Sequence, residues 1–297
     1  MALPLKVGLN IVPIRPDLVV RYSQLAEELG FESLWSGEHV CLPKNEDWWK
    51  LYPSVVAHGE GAGPELVPFR PETPFLDPMV VLSHVAAATT TVRLGIGIYL
   101  LMLREAILVG RTIASLDVLS GGRFDLGVGL GWTPYEYAFT GNEWKKRGRK
   151  LDETILCLRA LFEQEFPEFH GEFFDFPPIG FEPKPLQKPL PVHVGGMGEA
   201  GARRAARLGN GWYGTPALIP RVKEYLAEFG RENDPFTYGM IHPRGMVERD
   251  EIEQLARHGV ERVVATTWSD LDIAAKGQGE SAIFGALEAY AGRIGLA

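Results

Sequence analysis

The chain has 297 residues, 45% hydrophobic and 23% charged, with a formal net charge of −8. This is the composition of an ordinary soluble globular protein, and the scattered charges, with no basic patch or stripe, exclude a nucleic-acid binder. Two cysteines, Cys41 and Cys157, are too few for a disulfide framework or a Cys-type zinc site and point to a reducing cytoplasm.

The opening "MALPLKVGLN" lacks the basic and long apolar regions of a secretory signal. No apolar run approaches the roughly 18 residues that a membrane helix needs. The predicted elements then alternate along the chain. "LKVGLNIV" (5–12) reads as a strand bounded by Pro13. Leu18, Tyr22, Leu25 and Leu29 recur at helical spacing before Gly30. "ESLWSGEH" (32–39) is the second strand, 77–89 a helix, 92–102 a strand and 105–120 a helix stopped by Gly121-Gly122. "RFDLGVGLG" (123–131) is a Gly-rich strand, and a long helix covers 147–165.

The second half repeats the alternation. Strands are expected at 190–196, 211–214, 236–242 and 261–268, with helices at 199–209, 217–229, 249–258 and 281–294. Parallel strands need crossover helices, and about eight such rounds in one chain suit a closed (β/α)8 TIM barrel, spanning 1–297 as one domain. Two segments interrupt the alternation. Residues 42–76 are rich in Pro, Trp and Gly, and residues 166–189 read as a short hairpin with a Pro-rich return. Insertions of this length are commonly functional covers.

In such a barrel the reactive groups lie at the C-terminal strand ends. Glu38 and His39 stand there, just before the 42–76 cover. A histidine at that place can take or give a proton near neutral pH; the plain alternative is a hydrogen bond to the following loop. "GVGLGW" (127–132) and "VGGMGEAG" (194–201) both leave a strand and enter a helix, where bare main chain and free N–H groups favour a phosphate-bearing ligand. Neither fits the dinucleotide fingerprint GxGxxG. His193 reads as a barrel-lining residue and His84 as structural. Arg203, Arg204 and Arg207 read as a solvated helix face. No ligand cluster suggests a metal, and no GxSxG elbow a serine hydrolase.

The blocks "LAEELGFESLWSGEH" (25–39), "TTTVRLGIGI" (89–98), "LDVLSGGRFDLGVGLGWTPYEYAFTG" (116–141) and "PLPVHVGGMGEAGARRAARLGNGWY" (189–213) resemble the bacterial luciferase-like superfamily of flavin- and deazaflavin-dependent oxidoreductases. The resemblance implies a barrel that holds coenzyme F420 or FMN, with a homodimer as the usual assembly. His39 then corresponds to the histidine beside the ring, and Glu38 to the acidic residue before it. Gly97-Ile98 corresponds to a strand-3 bulge, often with a non-prolyl cis peptide, that backs the ring. Gly129, Gly131 and Trp132 match the strand-4 exit, Glu136 an acidic residue on the next helix, and Gly195, Gly196 and Gly198 the loop by the phosphate tail. Trp132 stands where some sugar-phosphate-oxidising deazaflavin enzymes carry a glutamate. The expected activity is hydride transfer between F420 and a small organic substrate. The alternatives are an FMN-dependent monooxygenase and a flavin-binding barrel without turnover.

Overall fold

The computed structural model describes residues 2–12, 14–44, 47–52, 67, 69–242, 245–266 and 279–296. Eight parallel strands close into a barrel in the order β1 (Lys6–Asn10), β10 (Arg262–Thr266), β9 (Thr237–Ile241), β8 (Gly211–Tyr213), β7 (Val192–Gly195), β4 (Phe124–Val128), β3 (Arg93–Tyr99) and β2 (Ser33–Ser36). Two further strands, β5 (Phe169–His170) and β6 (Asp175–Phe176), form an antiparallel hairpin inside the second insertion. The expected fold is therefore the observed one. Residues 267 and 268 of the last predicted strand, and 45, 46, 53–66 and 68 of the predicted cover, lie outside the described residues.

Alternation within each strand separates two cores. On β3, Leu94 and Ile96 face the helices and join the large apolar cluster that surrounds the barrel. Trp35, Tyr213, Val264 and Ile241 form a second cluster inside it. The Trp35 and Tyr213 rings lie 5.0 Å apart. They fit because the strands around them carry glycine: a Cβ on Gly95 would come within 2.4 Å of the Trp35 ring, and one on Gly239 within 2.4 Å of Tyr213. The barrel is thus packed through its middle, and only its rims are open to chemistry.

The N-terminal rim is closed by a charge network. Arg93 donates to both Asp125 oxygens at 2.8 Å. Arg262 donates to Glu32 at 2.9 Å, to the Tyr213 hydroxyl at 3.0 Å and to Asp125 at 3.3 Å. Burial works to raise the Asp125 carboxyl, but His193 and Arg93 outweigh it and hold it far below the ordinary carboxylate range. His193 is, as expected, a barrel-lining residue, 3% exposed and 3.4 Å from Asp125. The reading of His84 as structural has no support in its burial, since it faces solvent.

The "SGGR" turn also has a mechanical explanation. Gly121 and Gly122 both take positive φ, which turns the chain so that Arg123 lies under the end of helix Pro78–Ala88. There its guanidinium donates to the Ala86, Thr89 and Val92 carbonyls at 2.9, 3.1 and 2.9 Å. These acceptors include carbonyls that a helix end leaves unpaired.

Candidate active site

The C-terminal rim is shaped first by β3. Its register with β4 shifts between Ile96 and Tyr99, and the Gly97–Ile98 peptide is cis. The bulge presses main chain against main chain, since a Cβ on Gly127 would meet the Ile96 carbonyl oxygen at 1.9 Å. It also sends the Ile98 side chain across the ends of β4 and β7. A Cβ on Gly129 would lie 2.3 Å from Ile98 Cδ1, and one on Gly195 2.6 Å from Ile98 Cγ2. Two of the predicted cofactor glycines thus make room for an apolar shelf at the barrel mouth. Gly97 lies beside it, where a Cβ would strike Ile241.

β2 ends at Ser36, three residues earlier than expected, and Glu38 explains the departure. Its Oε2 accepts from the Leu100 N–H at 2.8 Å and from Arg104 Nη1 at 3.1 Å, while Oε1 pairs with Arg104 Nη2. The Glu38 side chain is only 4% exposed. Burial opposes the charge on Arg104, but Glu38 outweighs it and lifts the guanidinium above its ordinary value. Arg104 further stacks over the Tyr99 ring at 4.1 Å and stands 3.8 Å from Asp77, the N-cap of helix Pro78–Ala88. One arginine thereby joins the β2 exit, the β3 exit and the end of the cover. Sequence reasoning missed it, although an arginine directly after the apolar "LLML" that ends a strand was a usable signal.

His39 lies within an aromatic cage. Its ring centroid is 4.7 Å from Phe69, 5.1 Å from Phe75 and 5.4 Å from Trp132. Trp48, Trp49, Tyr52 and Val67 extend the same apolar cluster. Trp132 also belongs to this cluster, while Tyr52, Phe69 and Phe75 were not picked out in the sequence. Trp132 Nε1 donates to His39 Nε2 at 3.3 Å, and His39 Nδ1 stands 3.4 Å from Glu136 Oε1. That oxygen also accepts from the Val40 N–H at 2.7 Å. Glu136 belongs to helix Pro134–Phe139, which Thr133 caps by accepting from the Tyr135 N–H. Gly131, with φ +65°, turns the chain into this segment.

The remaining glycines are on the other side of the mouth. A Cβ on Gly196 would lie 3.2 Å from Gly201 Cα, so strand exit and helix start are in main-chain contact. Gly198 is the N-cap of helix Glu199–Leu208 and offers no side chain to cap it, which leaves early N–H groups to a ligand. On that helix Arg203 pairs with Glu228, and Arg204 and Arg207 with Asp152, mostly at the surface. Among the described residues no group of His, Cys, Asp and Glu could hold a metal ion, and no helix is long and apolar enough to cross a membrane.

Comparison with known proteins gives this geometry a context. The family model for luciferase-like monooxygenases matches residues 5–290. An uncharacterised protein of Mycobacterium tuberculosis is 33% identical over 249 residues, 82% of each chain. The F420-dependent glucose-6-phosphate dehydrogenase of Amycolatopsis mediterranei is 29% identical over 222 residues, 70% of this chain and 59% of that enzyme. Among solved structures, an F420-dependent secondary alcohol dehydrogenase in complex with an F420–acetone adduct superposes with a TM-score of 0.66 at 19% identity, covering 94% of this chain and 90% of that one. The chain belongs to the luciferase-like monooxygenase family and is an oxidoreductase of that family.

Proposed function

We propose that the chain is a coenzyme F420-dependent oxidoreductase acting on a small organic substrate at the C-terminal mouth of the barrel. The observation that carries this reading is the Ile98 shelf, laid over glycine main chain at the same end of the barrel as the aromatic cage of His39. A flat ring with an anionic tail fits these surroundings: Gly97, Ile98 and Trp132 offer apolar contact, and Gly129 and Gly195 give Ile98 its place. Gly131 shapes the β4 exit, and Gly196 and Gly198 offer main chain to the phosphate. When bound, the deazaflavin supplies or accepts the hydride. His39 takes or gives the accompanying proton at the substrate oxygen, and Glu38, engaged by Arg104, fixes the main chain that carries His39. Phe69, Phe75 and Trp132 around His39 keep water from its ring.

The dehydrogenase that aligns over 70% of this chain is F420-dependent, which favours the deazaflavin over FMN. The family's description as monooxygenases supports the second reading, an FMN enzyme that activates dioxygen. Trp132, an indole against His39, gives no support for transferring the sugar-phosphate substrate of that relative. A homodimer in the cytoplasm completes the proposal, with the exposed Val80, Leu108 and Leu119 on neighbouring helices as the candidate contact. Titrating apo-protein with each cofactor separates the readings. Tight F420 binding supports the first, and FMN binding without F420 binding overturns it.

A further inference from the structure

We infer that Glu136, not Glu38, is the carboxylate partner of His39, and that it holds the imidazole with its proton on Nδ1 and its reactive lone pair on Nε2. This deepens the functional reading above and rests on it. An indole N–H can only donate, so the 3.3 Å contact from Trp132 requires an unprotonated Nε2. The proton of the neutral ring is then on Nδ1, a buried atom that makes no hydrogen bond among the described residues and stands 3.4 Å from Glu136 Oε1, close enough for a small closure to join them. Glu38 cannot serve, because Arg104 and the Leu100 N–H engage both of its oxygens.

Two features set Glu136 apart from a carboxylate that merely shapes its helix. Its side chain is 1% exposed, and Oε2 has no hydrogen-bond partner among the described residues. A buried carboxylate in that condition is costly, and such groups are usually retained for a partner or a reaction. Its Oε1, meanwhile, is fixed by the Val40 N–H at 2.7 Å, the residue next to His39 in the chain. The acceptor is therefore anchored to the same main-chain segment as the ring it orients. When Nε2 takes a proton from a substrate hydroxyl, the positive ring faces a negative carboxylate inside a cage of Phe69, Phe75 and Trp132. The O–H proton would pass to Nε2 and the hydride on the same carbon to the deazaflavin held at the mouth, so the substrate would leave as a neutral carbonyl and the imidazolium would be balanced by Glu136. Trp132 occupies the position that such a hydroxyl donor would take.

Nitrogen NMR of 15N-histidine-labelled full-length protein tests this without any substrate. The expected wild-type spectrum shows His39 at neutral pH with a protonated Nδ1 and a bare Nε2. Trp132 still donates to Nε2 in Glu136→Ala, so that variant should keep Nε2 bare and shift the Nδ1 resonance, and only the double variant Trp132→Phe/Glu136→Ala should give a mixed or Nε2–H ring, with folding checked by circular dichroism. Trp132→Phe should keep Nδ1–H while shifting the Nε2 resonance. An Nε2–H ring in the wild type, loss of Nδ1–H in Trp132→Phe, or an unchanged ring in the double variant overturns the inference. Titrating wild-type protein with F420 and FMN is a separate arm: binding of neither removes the functional reading, whatever the tautomer.

Discussion

Glu38 and His39 are adjacent in sequence and differ in what surrounds them. Glu38 turns back into an ion pair with Arg104, and His39 turns forward into the cage. Removing one partner of a nearly buried pair leaves the other charge stranded. Arg104→Ala is expected to cost about 3 kcal/mol, read by urea denaturation. His39→Ala opens the aromatic cage and strands Glu136, so it should also lower stability, and in the protein that remains folded it should abolish turnover once a substrate is found; unchanged turnover would remove His39 from the mechanism. Neither role was open to separation in "GEH" alone, because the Arg104 partner is 66 residues away and is brought close only by the β2–β3 register.

The β3 bulge and the two glycine exits act as one unit. A Cβ on Gly129 or Gly195 would overlap Ile98, so Gly129→Ala and Gly195→Ala should each destabilise by about 1–3 kcal/mol through overpacking. Adding Ile98→Ala should recover most of that loss, a non-additivity that thermal denaturation of the single and double variants would show. Equal, additive losses would contradict the steric account. At the opposite rim, Glu27 accepts from the Thr90 and Val92 N–H groups at 2.9 and 2.8 Å and also from that of Thr91. Burial works to raise its carboxyl, but these N–H groups hold it down at about 2. The folded value is below the unfolded 4.5, so this contribution is complete above pH 4.5 and is lost as pH falls towards 2. Glu27→Gln should flatten the acid limb of stability between those values; an unaltered limb would contradict the assignment. Element positions were readable from apolar spacing to within a few residues. The short helix Pro134–Phe139 announced itself in "TPYE", a Thr cap followed by Pro, and was not taken up as an element from that signal. The bulge was visible only through family resemblance, since nothing in "LGIGIY" itself reveals a shift of register.

Taken together, the chain is a barrel whose middle is filled by Trp35 and Tyr213, whose lower rim is closed by Arg93, Arg262, Glu32 and Asp125, and whose upper rim carries Ile98 and the cage of His39. The barrel was legible because eight strand–helix rounds leave a periodic trace over nearly the full length, and the family because blocks such as "LDVLSGGRFDLGVGLGWTPYEYAFTG" resemble it. The surroundings of His39 were not, because Phe69, Phe75, Trp132 and Glu136 reach it from separate segments of the chain. The candidate contact surface is testable independently: Leu108→Glu should convert a dimer to a monomer in sedimentation if the exposed helices pair two copies. The central claim, a deazaflavin seated on Ile98 beside His39, is tested most directly by purifying the protein from a host that makes F420 and taking the absorbance spectrum and mass of whatever it retains. A deazaflavin chromophore with the mass of F420, lost in an Ile98→Asp variant, is the predicted result. A retained FMN, or no chromophore in a protein that also fails to take up added F420, would contradict it.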